Sequence, residues 1–323
     1  MQAAGFLTKS LHQTFGLMIE AGDCTSVDKL PATEFIQLFK RHGALLLRDF
    51  KVDTETFLNF TSLYTREFST YQGGGLRWGQ LDRKQIDGHE TLLSVTGSTQ
   101  SFAVPLHGEM YYMRRKPGIL WFYCAHPPEQ AGETTLCDGI KLHESMSEDL
   151  KAFFARNRLK YVRQLTSEEW PVVFQTNELP VLRKWCAENG AELTVEDDNS
   201  ILVEYVCSAT SKNGEADVFI NNLLIVYSAE QAIRTGVAQQ VLGPLPRNAC
   251  PMVVRLESGA EVPEEVVAEI RKTAESLTYN VSWRQDDILM VDNTRVLHGR
   301  KRCEGQGRSI YVRMGEPAFA SQP

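Results

Sequence analysis

Residues 104–113 read VPLHGEMYYM, an apolar run interrupted by His107 and Glu109 two positions apart. On a strand alternate side chains share a face, so these two project together while Gly108 turns away and takes no space. An imidazole and a carboxylate on one face form a two-point clamp for a metal ion. The same pair at a strand edge also reads as a solvated pair or a satisfied histidine, so the stretch needs support from elsewhere. A non-haem iron that keeps coordination positions open for reactants takes two imidazoles and one carboxylate, which calls for a second histidine. Among the seven histidines, His298 stands out: it lies in a strand-to-loop context beside a basic cluster, in DDILMVDNTRVLHGRKRCEGQGRSIYVRMGEP. Zinc-protease chemistry is disfavoured because HExxH is absent, and a structural zinc site would want cysteines at short spacing.

Working outward, the chain has 323 residues, 42% of them apolar, and no repeats or low-complexity linker. It is expected to form a single domain over 1–323 with a helical insertion at about 165–215. A net charge of −7 offers no domain-wide basic field, so neither nucleic acid nor an anionic membrane is an expected partner. A small-molecule substrate is. The seven scattered cysteines lack any CxxC pair and read as reduced thiols. The N-terminus lacks the pattern of a signal peptide, and no window reaches 18 uninterrupted apolar residues, so a cytoplasmic protein is expected.

Residues 30–43 predict a helix ended by Gly43 and followed by a buried strand, Ala44–Leu47; a second helix is expected from about Thr54 to Thr65. GGGLRWG at 73–79 reads as a loop and lacks the GK[ST] ending of a P-loop. Strand-like runs follow at 91–96, 102–113, 119–125, 157–163, 201–206, 217–226, 252–256, 280–291 and 308–313, with helices at about 142–156, 167–189 and 263–277. The expected class is mainly β with peripheral helices (α+β), a sandwich or jelly roll with helical insertions.

Two further residues fit a site around the clamp. Arg308 follows the turn-like EGQG, so the chain can double back and present a guanidinium, the side chain best shaped to pair with a carboxylate. Thr134, in QAGETTLCDG, offers a hydroxyl to the same carboxylate.

HGE at 107–109, AGETTLCDG at 131–139, and VDNTRVLHGR from 291 with Gly307-Arg308 beyond it together resemble the taurine dioxygenase/clavaminate synthase-like superfamily of Fe(II)- and 2-oxoglutarate-dependent oxygenases. RHGALLLRDF at 41–50 resembles the family's early helix-strand unit. EEWPVVFQTNELPVLRKWCAENG and VFINNLLIVY resemble the branch containing the syringomycin-cluster aspartate hydroxylase. The resemblance implies a double-stranded β-helix (jelly roll) and makes His107, Glu109 and His298 the iron ligands. It gives Thr134 and Arg308 the distal carboxylate of 2-oxoglutarate, with O2 as co-substrate and ascorbate as reductant in vitro. Halogenating relatives replace the carboxylate ligand by a small residue; Glu109 therefore points to hydroxylation of an aliphatic C–H in a small polar metabolite, an amino acid or amino-acid derivative of specialised metabolism. Desaturation, cyclisation or another non-rebound oxidation uses the same ligands and is the alternative, with a non-catalytic jelly-roll binding module a distant one.

Candidate substrate contacts are Asn221 in FINN, Arg77 in the glycine-rich loop, and Arg313 in VRMG, where the family branch carries a small residue. If Arg308 points inward, period two sends Ile310 and Val312 inward and Arg313 outward. The run Arg300, Lys301, Arg302 reads as a solvated face or a co-substrate anchor rather than a phosphate contact.

Overall fold

The apolar run at 44–47 reads as a strand, and in the computed structural model it occupies Ala44–Arg48 with every residue buried. The structure describes residues 6–23, 25–73, 83–95, 102–242, 252–304 and 307–319. Period two explains why the run is apolar throughout. Leu45 and Leu47 pack with Phe35, Phe57, Phe60 and Trp121, whereas Ala44 and Leu46 pack with Phe122, Ile310 and Val312 on the other side.

This strand lies within a sheet ordered Phe6–Ser10, Leu17–Ala21, Ala44–Arg48, Ile288–Asp292, Ile119–His126, Ser309–Pro317, His89–Ser94, Gln85–Ile86, with Thr65–Arg66 paired to the end of Ser309–Pro317. Its outer face is covered by helices Ala32–His42 and Thr54–Tyr64, through the cluster of Phe35, Phe39, Phe57 and Phe60. The first helix ends where Gly43 takes φ 69 and donates to the Phe39 carbonyl; the second starts at Asp53, whose carboxylate accepts from Thr56 N at 2.8 Å. A second sheet, ordered Tyr279–Val281, Thr134–Asp138, Val296–Arg300, Val104–His107, shares the inner core through Leu136, Val281 and Val296. The chain is thus strand-rich with peripheral helices, as expected. Among the described residues no helix is long and apolar enough to cross a membrane, and Cys124, Cys137, Cys186, Cys207 and Cys303 are free thiols.

The segment expected to be a helical insertion holds helices Glu169–Phe174 and Leu179–Asn189 but also strands Glu192–Val195 and Ile201–Cys207, which join Leu159–Leu165 and Val253–Leu256 in a third sheet. The helix expected over 142–156 breaks into Gly139–Ser145 and Glu148–Arg156, because the Ser147 hydroxyl accepts from Leu150 N and starts a new helix. The strand expected over 217–226 is corrected more deeply. Strand Ala216–Phe219 stops at a turn, and helix Leu223–Arg234 begins where Asn221 Oδ1 accepts from Leu223 N at 2.9 Å. The β-branched and aromatic letters of this run suggested a strand, and the local asparagine hydrogen bond overrides them.

The run expected as one strand over 280–291 is two strands, Tyr279–Val281 and Ile288–Asp292, in different sheets. Arg48 pins the crossover between them. Its Nε donates to Asp287 Oδ1 at 3.0 Å, and its Nη2 donates to Asp287 Oδ2 at 2.6 Å and to the Ser282 carbonyl at 2.7 Å. Asp287 Oδ2 also accepts from Arg284 N. Asp287→Ala would leave the Arg48 charge buried without its partner, and a loss of about 3–5 kcal/mol in unfolding free energy is expected by urea denaturation. A variant with the wild-type midpoint would show that the pair does not hold the crossover.

Candidate metal centre and co-substrate pocket

His298 and His107 face each other across the paired strands Val296–Arg300 and Val104–His107, with ring centroids 4.3 Å apart. Gly299 permits this closeness: a Cβ there would lie 2.5 Å from the Val104 carbonyl oxygen. Glu109 reaches the same spot by a route other than strand alternation. The strand expected over 102–113 ends at His107, and Glu109 lies in the turn that follows, where Met110 takes φ 61. Gly108 N–H donates to the Asn221 carbonyl at 3.0 Å instead of to a strand neighbour, and a Cβ on Gly108 would lie 2.4 Å from the Tyr111 ring. Asn293 holds the turn. Its Oδ1 accepts from Glu109 N at 2.8 Å, its Nδ2 donates to the carbonyls of Glu109 at 3.0 Å and Pro117 at 2.7 Å, and its own carbonyl accepts from the Tyr111 hydroxyl.

His107, Glu109 and His298 are all buried, and one candidate ligand atom from each lies within 4.8 Å of the other two. His107 Nδ1 lies 2.8 Å from the Pro105 carbonyl, which can only accept; the proton therefore sits on Nδ1 and the Nε2 lone pair is left for a metal. Burial, and then the neighbouring His298, push the His107 pKa down to about 3, so this ring is neutral. Burial by itself raises the pKa of Glu109, but the Arg83 guanidinium and His298 outweigh it and hold the carboxyl well below its usual range. Arg83 Nη2 donates to Glu109 Oε2 at 2.6 Å with both side chains buried, and the guanidinium lies 4.3 Å from the Tyr71 ring centre. Nothing in the local sequence marks Arg83 for this role; Arg77, the arginine singled out nearby, lies outside the described residues.

Thr134 and Arg308 line the same cavity as the cluster, a space of about 850 Å³. Thr134 Oγ1 accepts from Trp283 Nε1 at 3.0 Å, which leaves its own proton to donate elsewhere. Arg308 is buried, and its Nε and Nη1 have no protein partner among the described residues. Burial, and then the charge of Arg300, lower its pKa to about 10, which still leaves it cationic at neutral pH. A buried guanidinium with open donors calls for an anion, and a planar carboxylate fits its fork. Arg300, from the basic run, lines the same cavity and donates to the Phe102 carbonyl at 2.8 Å.

Two expected substrate contacts are corrected. Asn221 does not line the cavity: its Nδ2 donates to the Ala209 carbonyl and its Oδ1 accepts from Leu223 N at the start of the helix, so both ends of the amide are taken up by backbone. Its neighbour Asn222 lines the cavity instead. Arg313 also points away. Its Nη1 donates to the Leu58 carbonyl and to Thr61 Oγ1, and its guanidinium lies 3.7 Å from the Phe68 ring centre. Ile310, Val312 and Met314 face the inner core, as alternation predicts.

The sequence matches the taurine catabolism dioxygenase TauD, TfdA family over residues 8–314. The chain belongs to this family. This dioxygenase is 25% identical over 294 residues to the dapdiamide synthesis protein DdaC of Enterobacter agglomerans, covering 88% of this chain and 85% of that one. It is 23% identical over 280 residues to a clavaminate synthase-like protein of Arabidopsis thaliana, covering 82% and 79%. Its fold is similar to that of PvcB from Pseudomonas aeruginosa, with a TM-score of 0.56 at 14% identity over 97% of this chain and 92% of that one. PvcB is an Fe, alpha-ketoglutarate dependent oxygenase from an isonitrile synthetic pathway. The TauD/TfdA dioxygenase is an Fe(II)- and 2-oxoglutarate-dependent oxygenase that uses O2. The donor set of two histidines and a glutamate suits Fe(II), and the buried guanidinium of Arg308, with Nε and Nη1 unpartnered among the described residues, suits a dicarboxylate.

Asn293→Ala would leave buried amide and carbonyl groups of the ligand turn unpaired. Fe(II) affinity is expected to fall about 10–100-fold, and unfolding free energy by about 3 kcal/mol. Chelator competition and denaturation check the two effects separately; wild-type affinity in a folded variant would remove Asn293 from the support of the metal centre.

Proposed function

We propose that His107, Glu109 and His298 hold the Fe(II), that Thr134 and Arg308 bind the distal carboxylate of 2-oxoglutarate, and that the enzyme hydroxylates an aliphatic C–H of an amino acid or amino-acid derivative in specialised metabolism. The observation that carries this reading is one cavity lined both by the two-histidine, one-glutamate cluster and by a buried arginine whose Nε and Nη1 have no partner among the described residues. The two sheets that share the inner core are read as a double-stranded β-helix (jelly roll), and residues 1–323 as a single domain.

Fe(II) with 2-oxoglutarate and O2 supplies the oxidising power, with decarboxylation to succinate and carbon dioxide. The protein's part is placement. Arg308 and Thr134 would hold one carboxylate of the co-substrate through a charged and a neutral donor in the cavity that the cluster also lines. Arg83 keeps Glu109 ionised and fixes its orientation. Phe122, whose ring centre lies 5.6 Å from that of His298, lines the same cavity with an apolar face. The likeness to a dapdiamide synthesis protein supports a role in specialised metabolism. The likeness to PvcB supports a second reading, in which the same site carries out desaturation or another non-rebound oxidation.

His107→Ala is expected to lose bound iron and, with it, succinate release; metal analysis that finds the wild-type iron content would refute the ligand assignment. Arg308→Met is expected to raise the KM for 2-oxoglutarate about 30-fold or more while iron content stays at the wild-type level, since a buried charge-assisted contact is lost. An unchanged KM would remove Arg308 from the co-substrate site.

A further inference from the structure

The cavity extends well beyond the metal centre. Its volume of about 850 Å³ lies near the top of the range of roughly 300–1,000 Å³ for sites that enclose drug-sized ligands, far more than a free polar amino acid fills beside 2-oxoglutarate. Helix Leu223–Arg234 forms one wall of the excess space. Ile225, Val226, Ala229, Ala232 and Ile233 recur at helical spacing and line the cavity, and Val237 continues the apolar wall to a point where it is 48% exposed. From Ile225 to Ile233 this face runs about 12 Å at the helical rise. The start of the helix lies at the metal centre, because the Asn221 carbonyl accepts from Gly108 N–H, between two of the ligands.

At that inner end stands Asn222. The residue lines the cavity and is almost fully buried, and its Oδ1 has no partner among the described residues. Leaving a buried amide oxygen without a donor is costly, and the groups on this wall beyond it are apolar except for Ser228. A secondary amide complements such a side chain, since it presents an N–H to Oδ1 and a carbonyl to Nδ2.

We infer that the substrate is an N-acylated amino-acid derivative: its amide pairs with Asn222 beside the metal centre, and its apolar acyl chain lies along the Ile225–Ile233 face. This deepens the Fe(II)/2-oxoglutarate reading and rests on it. The acyl chain gains from leaving water, and the amide fixes which carbon faces the cluster.

Calorimetric titration of the full chain loaded with Mn(II) and N-oxalylglycine, which prevents turnover, tests the inference. The probes are N-acetyl-, N-butanoyl-, N-hexanoyl- and N-octanoylglycine, together with the ester analogue of the longest, which lacks the N–H. Affinity is expected to rise about fourfold for each added methylene, and the ester is expected to bind at least about fivefold more weakly than the amide. In Ala232→Arg, which places a charge on the apolar face, the dependence on chain length is expected to vanish. Equal affinity across the acyl series in the wild-type protein overturns the apolar track, and equal affinity for amide and ester overturns the Asn222 contact. Failure to take up Mn(II) and N-oxalylglycine overturns the underlying reading and the inference with it, whereas uptake of both followed by a flat series overturns the inference alone.

Discussion

The Asn293 side chain ties the turn that carries Glu109 to the segment that carries His298 five residues later. A turn of this kind, buried beside two strands, has peptide groups that no ladder satisfies, and each left unpaired would cost on the order of 1–3 kcal/mol. One amide meets three of them, two on Glu109 and one on Pro117, while the Asn293 backbone takes the Tyr111 hydroxyl as well. His298 is in turn paired across the strands with His107. The distances among the three candidate ligands are therefore set by a hydrogen-bonded loop through residues 107–109 and 293–298, and not by the side chains alone.

Charge sets the second constraint. Buried ions are tolerated when paired, and the cavity divides on that rule. At one end Arg83 and Glu109 satisfy each other, and the carboxylate stays ionised despite its burial. At the other end Arg308 and Arg300 repel, and among the described residues no carboxylate answers Nε and Nη1 of Arg308. A buried cation of this kind is costly, and a molecule carrying a carboxylate would remove the imbalance. The Thr134 hydroxyl, oriented by Trp283, adds a neutral donor that discriminates by geometry.

Much of this was legible in the sequence because it depends on residue type and order. His107, Glu109, His298, Thr134 and Arg308 do converge on one cavity, and the alternation of Ile310, Val312 and Arg313 gives the facing that the structure has. The route to Glu109 was not legible. A histidine and a carboxylate two apart are brought together by a strand or by a tight turn, and only the remote Asn293 and the positive φ of Met110 decide between them. Arg83 lay hidden for a related reason: it is one of many arginines until its distance to Glu109 is known. The run at 217–226 misled because its strand-forming letters conceal a helical spacing that becomes plain only across the whole helix to Arg234.

That misread segment couples the metal centre to the outer cavity. Asn221 uses its side chain to start the helix and its carbonyl to hold Gly108, so the residue that fails as a substrate contact fixes the backbone of the ligand turn. The next residue, Asn222, donates its N–H to the Tyr161 hydroxyl and lines the cavity. From there the helix carries an apolar wall outward at an angle set by those same few bonds. A displacement of the helix by even part of a turn would move both Gly108 and the wall, so the position of a bound molecule and the geometry of the cluster are not independent variables. The same backbone contacts thus place both the turn that carries Glu109 and the apolar wall of the cavity.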